Sequence, residues 1–392
     1  MELGRELMLS DDDIPIDIAR NMKCTAYQMI SNENFYLYRK RQDSSSCGEL
    51  VQSKGIVPGV KVFFSDYFSK LSDEIILQIF KWLPKKTLMK CSLVNRRFLR
   101  LTQDDTLWAR MDLAGRSFRT EAIGRIITRG VIVLRLAQTK IVDPIFEPDF
   151  FIWNDMFESK LQYLDLSMSN ITALGLQQLF KTCRHLIKLS LEHLTISDRV
   201  CEELAHNTQL EVLNLALCSG LTSRGVRMLL SSFSNLQSLN ISWTNLETES
   251  VAILVETISP SIIRLNIAGC RKSLKDNHVR TLVDRCSSIR ELDASDCNLL
   301  TVHVIKSIRE LSELEYLSLS RCYNISIYAF MDLQYSRTLK YLDIFGMLTD
   351  AQLAVIVNTL RDVGINKFIN SAVARPTVGT RRTSIWGLRT RD

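Results

Sequence analysis

One aliphatic pattern returns eight times between Leu161 and Ile344. Each unit reads L-x-x-L-x-L, with isoleucine or alanine at some of the leucine positions. The units begin at Leu161, Leu186, Leu210, Leu236, Ile262, Ile289, Leu314 and Leu339, so that successive starts are 24 to 27 residues apart. A regular period of this length predicts stacked repeats with one strand and one helix each, because no single repeat can bury its apolar face alone.

The positions inside each unit predict which side chains face the core. Alternate side chains of a strand point to opposite sides of a sheet, so the second and third aliphatic positions face inward and the residue between them faces the concave side. We expect these intervening residues, which are small and polar, to form a solvated row: Asp165, Ser190, Asn214, Asn240, Asn266, Asp293, Ser318 and Asp343. Residues 225–230 and 281–286 have helical spacing. The predicted fold class is α/β, a curved leucine-rich-repeat solenoid with a parallel inner sheet and outer helices.

Four repeats carry a cysteine three residues past the last aliphatic position: Cys218, Cys270, Cys297 and Cys322. Because this spacing follows the repeat, we interpret the four residues as a buried ladder of small apolar side chains; the alternative is a metal or redox cluster. The sequence contains no C-x-x-C motif, and we expect no metal site and no cofactor. Ten cysteines behind an N-terminus without a signal-peptide pattern indicate reduced thiols, and hence the nucleus and cytoplasm.

A second row lies two residues past each last aliphatic position. It consists of Met168, His193, Leu217, Trp243, Gly269, Asp296, Arg321 and Gly346. Arg271 lies two residues further along in its own repeat. Tryptophan and arginine are enriched at interaction hot spots, so Trp243, Arg271, Asp296 and Arg321 predict a recognition site. The alternative is ordinary solvated surface, with Trp243 covered by the C-terminal segment.

A different helical pattern precedes the repeats between Phe68 and Trp108. Ser72 and the two acids after it predict a helix start, apolar residues follow at helical spacing, and Pro84 is expected to end that helix. Two further short helices are predicted near Thr87 and from Asn95. A core of about 40 residues is marginal by itself, so the module implies a partner that covers its apolar surface.

This module resembles an F-box. Residues 71–76 resemble the usual opening Leu-Pro-Asp-Glu-Leu-Leu, with Ser72 at the proline position, and residues 95–98 and 104–108 resemble two further F-box motifs. Residues 107–115, 129–132, 317–323, 374–379 and 385–387 are similar to the S-phase kinase-associated group of F-box/leucine-rich-repeat proteins. This resemblance extends from about Phe68 to Leu388.

The resemblance implies the substrate-recognition subunit of an SCF-type, cullin–RING ubiquitin ligase. It would recruit phosphorylated cell-cycle regulators such as CDK inhibitors for degradation. The adaptor, through which cullin and RING subunits assemble, would bind Phe68, Leu71, Ile75, Phe80, Leu83 and Trp108. Trp243, Arg271, Asp296 and Arg321 match positions that meet a Cks-type accessory subunit and the phosphorylated substrate. A further position, usually histidine in this group, is Ile369.

The predicted organisation has five parts. A mostly disordered leader spans residues 1–62, an F-box 63–112, a linker with irregular first repeats 113–160, leucine-rich repeats 161–370, and a tail that folds back on the concave face 371–392. Ile385 and Trp386 are the expected apolar anchors of the tail, for which a disordered basic segment is the alternative. Within the leader, Tyr38–Arg41 is a fragment of a nuclear-localisation signal or, alternatively, a solvated basic cluster.

The sequence carries no recognisable catalytic motif. It lacks H-E-x-x-H, P-loop and G-x-S-x-G patterns, and its five histidines are scattered through different repeats: His185, His193, His206, His278 and His303. We expect a non-catalytic receptor that binds no nucleic acid and, without a run of 18 apolar residues, no membrane. Two alternatives remain open at this point: a receptor for other targets that needs no accessory subunit, and a repeat scaffold independent of any ligase.

Overall fold

The computed structural model describes residues 67–153, 157–377 and 384–390, so the predicted leader and its basic cluster lie outside the described residues. The chain divides into two compact units, one ending at Trp108 and one extending from Ala109 to Thr390. This boundary lies four residues before the predicted end of the F-box at residue 112. The reason is that Arg110–Asp112 already forms a strand of the repeat unit.

The first unit is helical. Its helices are α1 (Asp73–Phe80), α2 (Lys85–Cys91) and α3 (Arg96–Thr102), with 3₁₀ turns at Tyr67–Lys70 and Asp105–Leu107. Asn95 caps α3 as predicted, because its side chain accepts a hydrogen bond of 2.7 Å from the backbone N–H of Phe98. Pro84 has a different role from the predicted one: α1 ends at Phe80, and Pro84 occupies the cap position of α2.

Aromatic packing joins α3 to α1 and to the 3₁₀ turn before it. Phe98 of α3 makes edge-to-face contacts with Phe68 and Phe80, with ring centroids 5.3 Å and 5.2 Å apart. Arg97 ties α3 to the start of α1, because its guanidinium donates to the Asp73 carboxylate at 2.7 Å and to the Leu71 carbonyl at 2.6 Å. The first turn of α1 is therefore fixed from the interior of its own unit.

The second unit is built on a parallel sheet. Within the described residues this sheet has 11 strands in the order β1-β3-β5-β6-β7-β8-β9-β10-β11-β12-β13. The strands are β1 (Arg110–Asp112), β3 (Val133–Arg135), β5 (Tyr163–Asp165), β6 (Lys188–Ser190), β7 (Val212–Asn214), β8 (Ser238–Asn240), β9 (Arg264–Asn266), β10 (Glu291–Asp293), β11 (Tyr316–Ser318), β12 (Tyr341–Asp343) and β13 (Gly364–Ile365). Two small pairs lie outside it: β2 (Ser117–Phe118) with β4 (Lys140–Ile141), and β14 (Ser384–Ile385) with β15 (Leu388–Arg389).

Helices connect successive strands on one side of this sheet. They are α4 (Ala122–Ile127), α5 (Phe150–Trp153), α6 (Ala173–Thr182), α7 (Asp198–Leu204), α8 (Ser223–Ser232), α9 (Thr248–Thr257), α10 (Asp276–Arg285), α11 (His303–Ile308), α12 (Ile327–Met331) and α13 (Asp350–Thr359). Parallel neighbours require such crossover connections. We call the opposite side of the sheet, which carries no helices, the concave face. The observed architecture is the predicted open solenoid, and it begins at β1, about 50 residues before the first regular repeat unit.

The aliphatic pattern is confirmed as the core of the second unit. The second and third aliphatic positions of the units, for example Leu189 and Leu191, are fully buried between sheet and helices. Register follows the repeat: Leu213 of β7 lies beside Leu239 of β8, which lies beside Leu265 of β9. Among the described residues, no helix is both long and apolar enough to cross a bilayer.

The prediction of a solvated polar row on the concave side is wrong. Asp165 and the seven equivalent residues, which we call the ladder row, are all buried, none more than 7% exposed. Their side chains close turns at the strand ends and bridge neighbouring repeats. Asn214, for example, accepts from the backbone N–H of Ala216 and donates to Ser190 Oγ and Glu192 Oε2 at 3.0 Å each. Side chains in this row are buried because each one fits between its neighbours and is hydrogen-bonded there.

Candidate functional site

The row of residues two positions past each last aliphatic, which we call the rim row, has an unusual backbone. Six of its eight members are not glycine, yet all have positive φ: Met168 at 56°, His193 at 66°, Leu217 at 60°, Trp243 at 59°, Asp296 at 57° and Arg321 at 59°. The left-handed conformation costs a non-glycine residue about 1–2 kcal/mol. It is maintained because each rim N–H donates to a carbonyl of the next repeat, as from Trp243 to Ala268 at 2.8 Å.

Four of the predicted site residues come together on this edge of the sheet. The Arg271 guanidinium lies 4.8 Å from the centre of the Trp243 ring, in cation–π geometry. Its Nη2 atom is 3.6 Å from Asp296 Oδ1. Arg321 donates from Nε to Asp296 Oδ1 at 2.8 Å and from Nη2 to Asp296 Oδ2, which makes a bidentate pair. We call Trp243, Arg271, Asp296 and Arg321 the rim cluster.

Two glycines in the same row make room for the large side chains of the cluster. A Cβ on Gly269 would lie 2.6 Å from the Trp243 ring, and a Cβ on Gly346 would lie 3.2 Å from Cγ of Arg321. Trp243 therefore covers the rim position of the repeat after its own, and so does Arg321. The sequence contained this signal, because Gly269 and Gly346 each follow by one repeat a residue singled out for recognition.

Charge in the rim cluster is arranged so that the cations face outward. Asp296 is only 4% exposed, whereas the side chains of Arg271 and Arg321 are about half exposed, at 55% and 45%. The hydrogen bonds that Arg321 donates to Asp296 raise the pKa of the Arg321 guanidinium above its ordinary value. One buried carboxylate thus holds two cations, and the exposed edge carries net positive charge that suits a carboxylate or phosphate group.

This geometry changes how Arg321 can act. The planar fork of its guanidinium is not free for an external anion, because Nε and Nη2 are occupied by Asp296. Among the described residues, the second terminal nitrogen of Arg321 has no acceptor. An incoming anion would therefore meet the remaining terminal nitrogen of Arg321 and the guanidinium of Arg271, both held beside Asp296.

Residues after the last repeat lie on the concave face. Asn240 of the ladder row donates to the Val373 carbonyl at 3.1 Å. Val373, Ala374 and Trp386 pack with Val212 in one apolar cluster, and the Trp386 indole N–H donates to the Ala374 carbonyl at 3.2 Å. Ile385 is fully buried. Further along, Thr390 reaches Asp112 of the first strand at 3.3 Å. Arg381 and Arg382 lie outside the described residues.

Ile369 is one of the most exposed apolar side chains in the described part of the chain, at 84%. Its neighbour Phe368 packs edge-to-face against Tyr341, with ring centroids 5.1 Å apart, and against Tyr316 at 6.0 Å. The backbone N–H groups of Lys367 and Phe368 donate to Asp343 of the ladder row. Phe368 and Ile369 thus form an apolar surface, held in place by these contacts, at the β13 end of the sheet.

The predicted cysteine ladder is confirmed as buried. Cys218, Cys270, Cys297 and Cys322 are free thiols with at most 4% exposure. Burial raises the pKa of Cys218 to about 12 and the pKa of Cys270 and Cys322 to about 11. Thiolates, which bind metals and react, are therefore strongly disfavoured. In the described part of the chain no group of three or more His, Cys, Asp or Glu side chains is arranged to hold a metal ion.

The six residues predicted to bind an adaptor divide into two groups. Ile75 is exposed at 49%, and Phe68 and Leu71 are partly exposed. Phe80, Leu83 and Trp108 are buried, and Phe80 packs against Phe98. The prediction that these three present docking surface is therefore corrected, because their apolar area is already covered within the chain. Exposed aliphatic side chains that the prediction omitted include Met89 at 51% and Leu93 at 79%.

A helical F-box unit followed by a leucine-rich-repeat solenoid is the architecture of an F-box/leucine-rich-repeat protein. The family model described as F-box-like matches residues 69–114, and the one described as SKP2 LRR domain matches residues 121–392, well over half of the chain. The chain belongs to the SKP2 LRR family and carries an F-box-like domain before its repeats. The resemblance found in the sequence is thereby confirmed at the level of the family.

The two domains together define a role. An F-box implies binding to the adaptor of an SCF complex, and its combination with SKP2-like repeats supports the role of an SCF substrate receptor. F-box/leucine-rich-repeat proteins are typically non-catalytic, and they promote ubiquitination by binding.

Proposed function

We propose that this chain recruits phosphorylated cell-cycle regulators, such as CDK inhibitors, to an SCF-type ligase through the rim cluster. The observation that carries the proposal is the arrangement of Arg271 and Arg321 around one buried carboxylate beside Trp243. Such a cluster combines an aromatic anchor with fixed cations, the residue types that dominate interaction hot spots. It suits a partner that presents an acidic or phosphorylated segment next to an apolar one.

A Cks-type accessory subunit is part of the proposal. The rim cluster by itself offers two half-exposed guanidinium groups, one of which already forms a bidentate pair within the chain. If the accessory subunit binds the phosphate, the rim cluster needs to contact only the accessory subunit and the rest of the substrate. The Arg271 and Arg321 donors that are not bonded to Asp296 would suffice for those contacts. We infer that this assembly acts in the nucleus and cytoplasm, where the free cysteines stay reduced.

No reaction needs to occur on this chain under the proposal. The receptor raises the effective concentration of the substrate near the ubiquitin-charged enzyme, and the gain comes from proximity and orientation. The F-box would dock the adaptor through the exposed side chains of its first turn, Phe68, Leu71 and Ile75.

Reconstituted ubiquitination tests recognition at the rim. Arg321→Ala should weaken capture of the phosphorylated peptide with its accessory subunit by about 1.5–3 kcal/mol, the worth of a charge-assisted hydrogen bond. Arg321→Lys should recover little of the affinity lost in Arg321→Ala. Lysine has no planar fork, so it cannot bond Asp296 and an external acceptor at the same time. Adaptor binding and thermal melting serve as controls. Wild-type affinity and ubiquitination in Arg321→Ala would exclude the rim cluster as the recognition site.

Adaptor docking is tested with a matched pair of variants. Leu71→Ala/Ile75→Ala removes partly exposed aliphatic groups from the F-box, whereas Val355→Ala/Val357→Ala removes two that are 46% exposed on α13 of the repeats. Only the first should reduce adaptor pull-down, since truncating an interface anchor costs about 2 kcal/mol or more. Undiminished pull-down by a folded Leu71→Ala/Ile75→Ala chain would favour a ligase-independent scaffold. Adaptor binding without any affinity for a Cks-type subunit would favour a receptor for other targets.

A further inference from the structure

A groove of about 540 Å³ lies between the concave face and the residues that follow the last repeat. Its floor comes from the first residues of three strands: Lys188 of β6, Val212 of β7 and Arg264 of β9. Its other wall is formed by Ala372, Ala374, Arg375, Pro376, Thr377, Ser384, Trp386 and Gly387. The rim cluster lies past the opposite ends of the strands, so the groove is a separate site.

The lining of the groove carries positive charge and no acidic residue. It contains three cations, Lys188, Arg264 and Arg375, and no carboxylate. Neither Lys188 nor Arg264 forms an ion pair in the part of the chain that the structure describes; Lys188 lies 6.0 Å from the Tyr163 ring centre. Residues 378–383, which lie outside the described ranges, contain two arginines and no acid. They cannot neutralise the groove.

The nearby carboxylates leave this charge largely uncompensated. Glu192 is 3.6 Å from Arg375 Nη2, but it also accepts a hydrogen bond from Asn214. Glu291 lies next to Arg264 in the neighbouring strand without an ion pair; burial raises the pKa of its carboxyl, and the charge of Arg264 acts in the other direction. The Nε atom of Arg375 is shielded from water and has no hydrogen-bond partner among the described residues. A buried guanidinium nitrogen without an acceptor is rare in native proteins.

We propose that this groove binds a small organic phosphate. Its volume lies within the range of small-molecule sites, about 300–1,000 Å³. The hydroxyls of Thr377 and Ser384 and the three cations would surround the phosphate groups, whereas Val212, Pro376 and Trp386 offer an apolar wall to the body of the ligand. Because the cations come from both walls, the ligand would fasten the C-terminal segment to the sheet.

The proposal is tested by calorimetric titration of the full chain in complex with its adaptor at low salt. The probes are ATP, tripolyphosphate and adenosine. ATP should bind. Tripolyphosphate that binds as tightly as ATP would assign the affinity to the phosphate groups alone. Tripolyphosphate that binds more weakly than ATP would assign part of the affinity to the apolar wall. Adenosine should bind far more weakly than ATP. Adenosine affinity equal to that of ATP would overturn the proposal.

A matched pair of charge variants locates the site. Lys188→Gln/Arg264→Gln removes two charges from the groove, and Arg227→Gln/Lys306→Gln removes two exposed charges from the outer helices α8 and α11. The groove variant should weaken ATP at least about tenfold, the loss of one charge-assisted hydrogen bond, and the helix variant should not. Equal weakening in both would mean nonspecific attraction and overturn the proposal, as would wild-type affinity in the groove variant.

Hydrogen exchange supplies a readout independent of affinity. In the wild type, ATP should slow amide exchange in residues 372–377 and 384–390, because a ligand that binds the closed arrangement stabilises it. The groove variant at the same ATP concentration should show less protection. Binding of ATP without any change of exchange in these segments would place the ligand elsewhere and contradict the proposal.

Discussion

The ladder row and the rim row share one period and lie three residues apart, yet most rim residues are exposed whereas every ladder residue is buried. Ladder residues such as Asn214 and Asn240 are fully buried and bonded to neighbouring repeats. Rim residues such as His193 and Arg321 are exposed, on a left-handed backbone that aims their side chains outward. Both rows are polar in sequence, so polarity at a repeat position does not distinguish a structural hydrogen bond from a binding surface.

The difference has an energetic consequence. A buried hydrogen-bonded side chain cannot be replaced without leaving its partners unsatisfied, which costs about 1–3 kcal/mol for each group. An exposed side chain leaves only solvated partners behind when it is removed. Changes in the ladder row should therefore reduce stability, and removal of an exposed rim side chain should reduce binding and leave stability nearly unaffected.

The largest effect is expected for Asn214→Ala. This change leaves Glu192 Oε2, Ser190 Oγ and the Ala216 N–H without their bonds to Asn214, and should lower the free energy of unfolding by about 2–4 kcal/mol. Urea denaturation measures it. The control is Asn277→Ala, on the exposed face of α10, with a change within about 0.5 kcal/mol. Equal stabilities of the two variants would show that the ladder row is not structural.

The rim counterpart is Asp296→Asn. Loss of the carboxylate releases Arg271 and Arg321, and affinity for the phosphorylated peptide with its accessory subunit should fall about tenfold or more. Stability should change little, because both guanidinium groups are about half exposed and water can solvate them.

Asp284→Asn is the matched control for this variant. It removes the carboxylate of another Asp–Arg pair, with Arg280 at 2.9 Å, on the outer helix α10. We expect no loss of peptide affinity. A loss of stability in Asp296→Asn as large as that in Asn214→Ala would remove the distinction between the two rows.

Two glycines of the rim row allow a finer comparison. Gly269 and Gly346 both have positive φ, at 83° and 71°, so alanine costs about 1–2 kcal/mol at either position. Only Gly269→Ala places a Cβ 2.6 Å from the Trp243 ring, against 3.2 Å to the flexible Arg321 side chain for Gly346→Ala. Calorimetry should show reduced partner affinity chiefly in Gly269→Ala. The reverse order would mean that Trp243 does not contribute to binding.

The smallest effect concerns pH. Burial raises the pKa of Asp165 in the ladder row above its ordinary value of 3.8, although hydrogen bonds from Ser167 and the charge of Arg135 act in the other direction. The folded state then binds the proton more tightly than the unfolded state. The contribution of Asp165 is therefore most favourable below pH 3.8 and is lost as the pH rises through the raised value.

Asp165→Asn removes this titration and keeps an oxygen for the N–H of Ser167. Its stability relative to the wild type should increase between pH 4 and pH 7, by about 1.4 kcal/mol for each unit of pKa shift. Thermal melting across that range measures the difference. A difference that stays constant, or that narrows with rising pH, would contradict a raised pKa at this position.

The sequence by itself determined the repeat architecture. The eight aliphatic units fixed the strands, the core and the register, because an apolar period can be buried in one way only once neighbouring repeats stack. It also identified Trp243, Arg271, Asp296 and Arg321 as one group, since residues at or near the same position of neighbouring repeats lie close together in space.

Tertiary structure decided which polar residues are buried and where each charged group points. Burial of the ladder row follows from contacts with neighbouring repeats and with Val373, more than 130 residues away in the sequence. The pairing of Arg321 with Asp296 and the buried positions of Phe80 and Trp108 were likewise set by neighbours in space. A period fixes the side of the sheet to which a residue belongs, but the solvent exposure and the partners of that residue depend on the chain that returns to cover it.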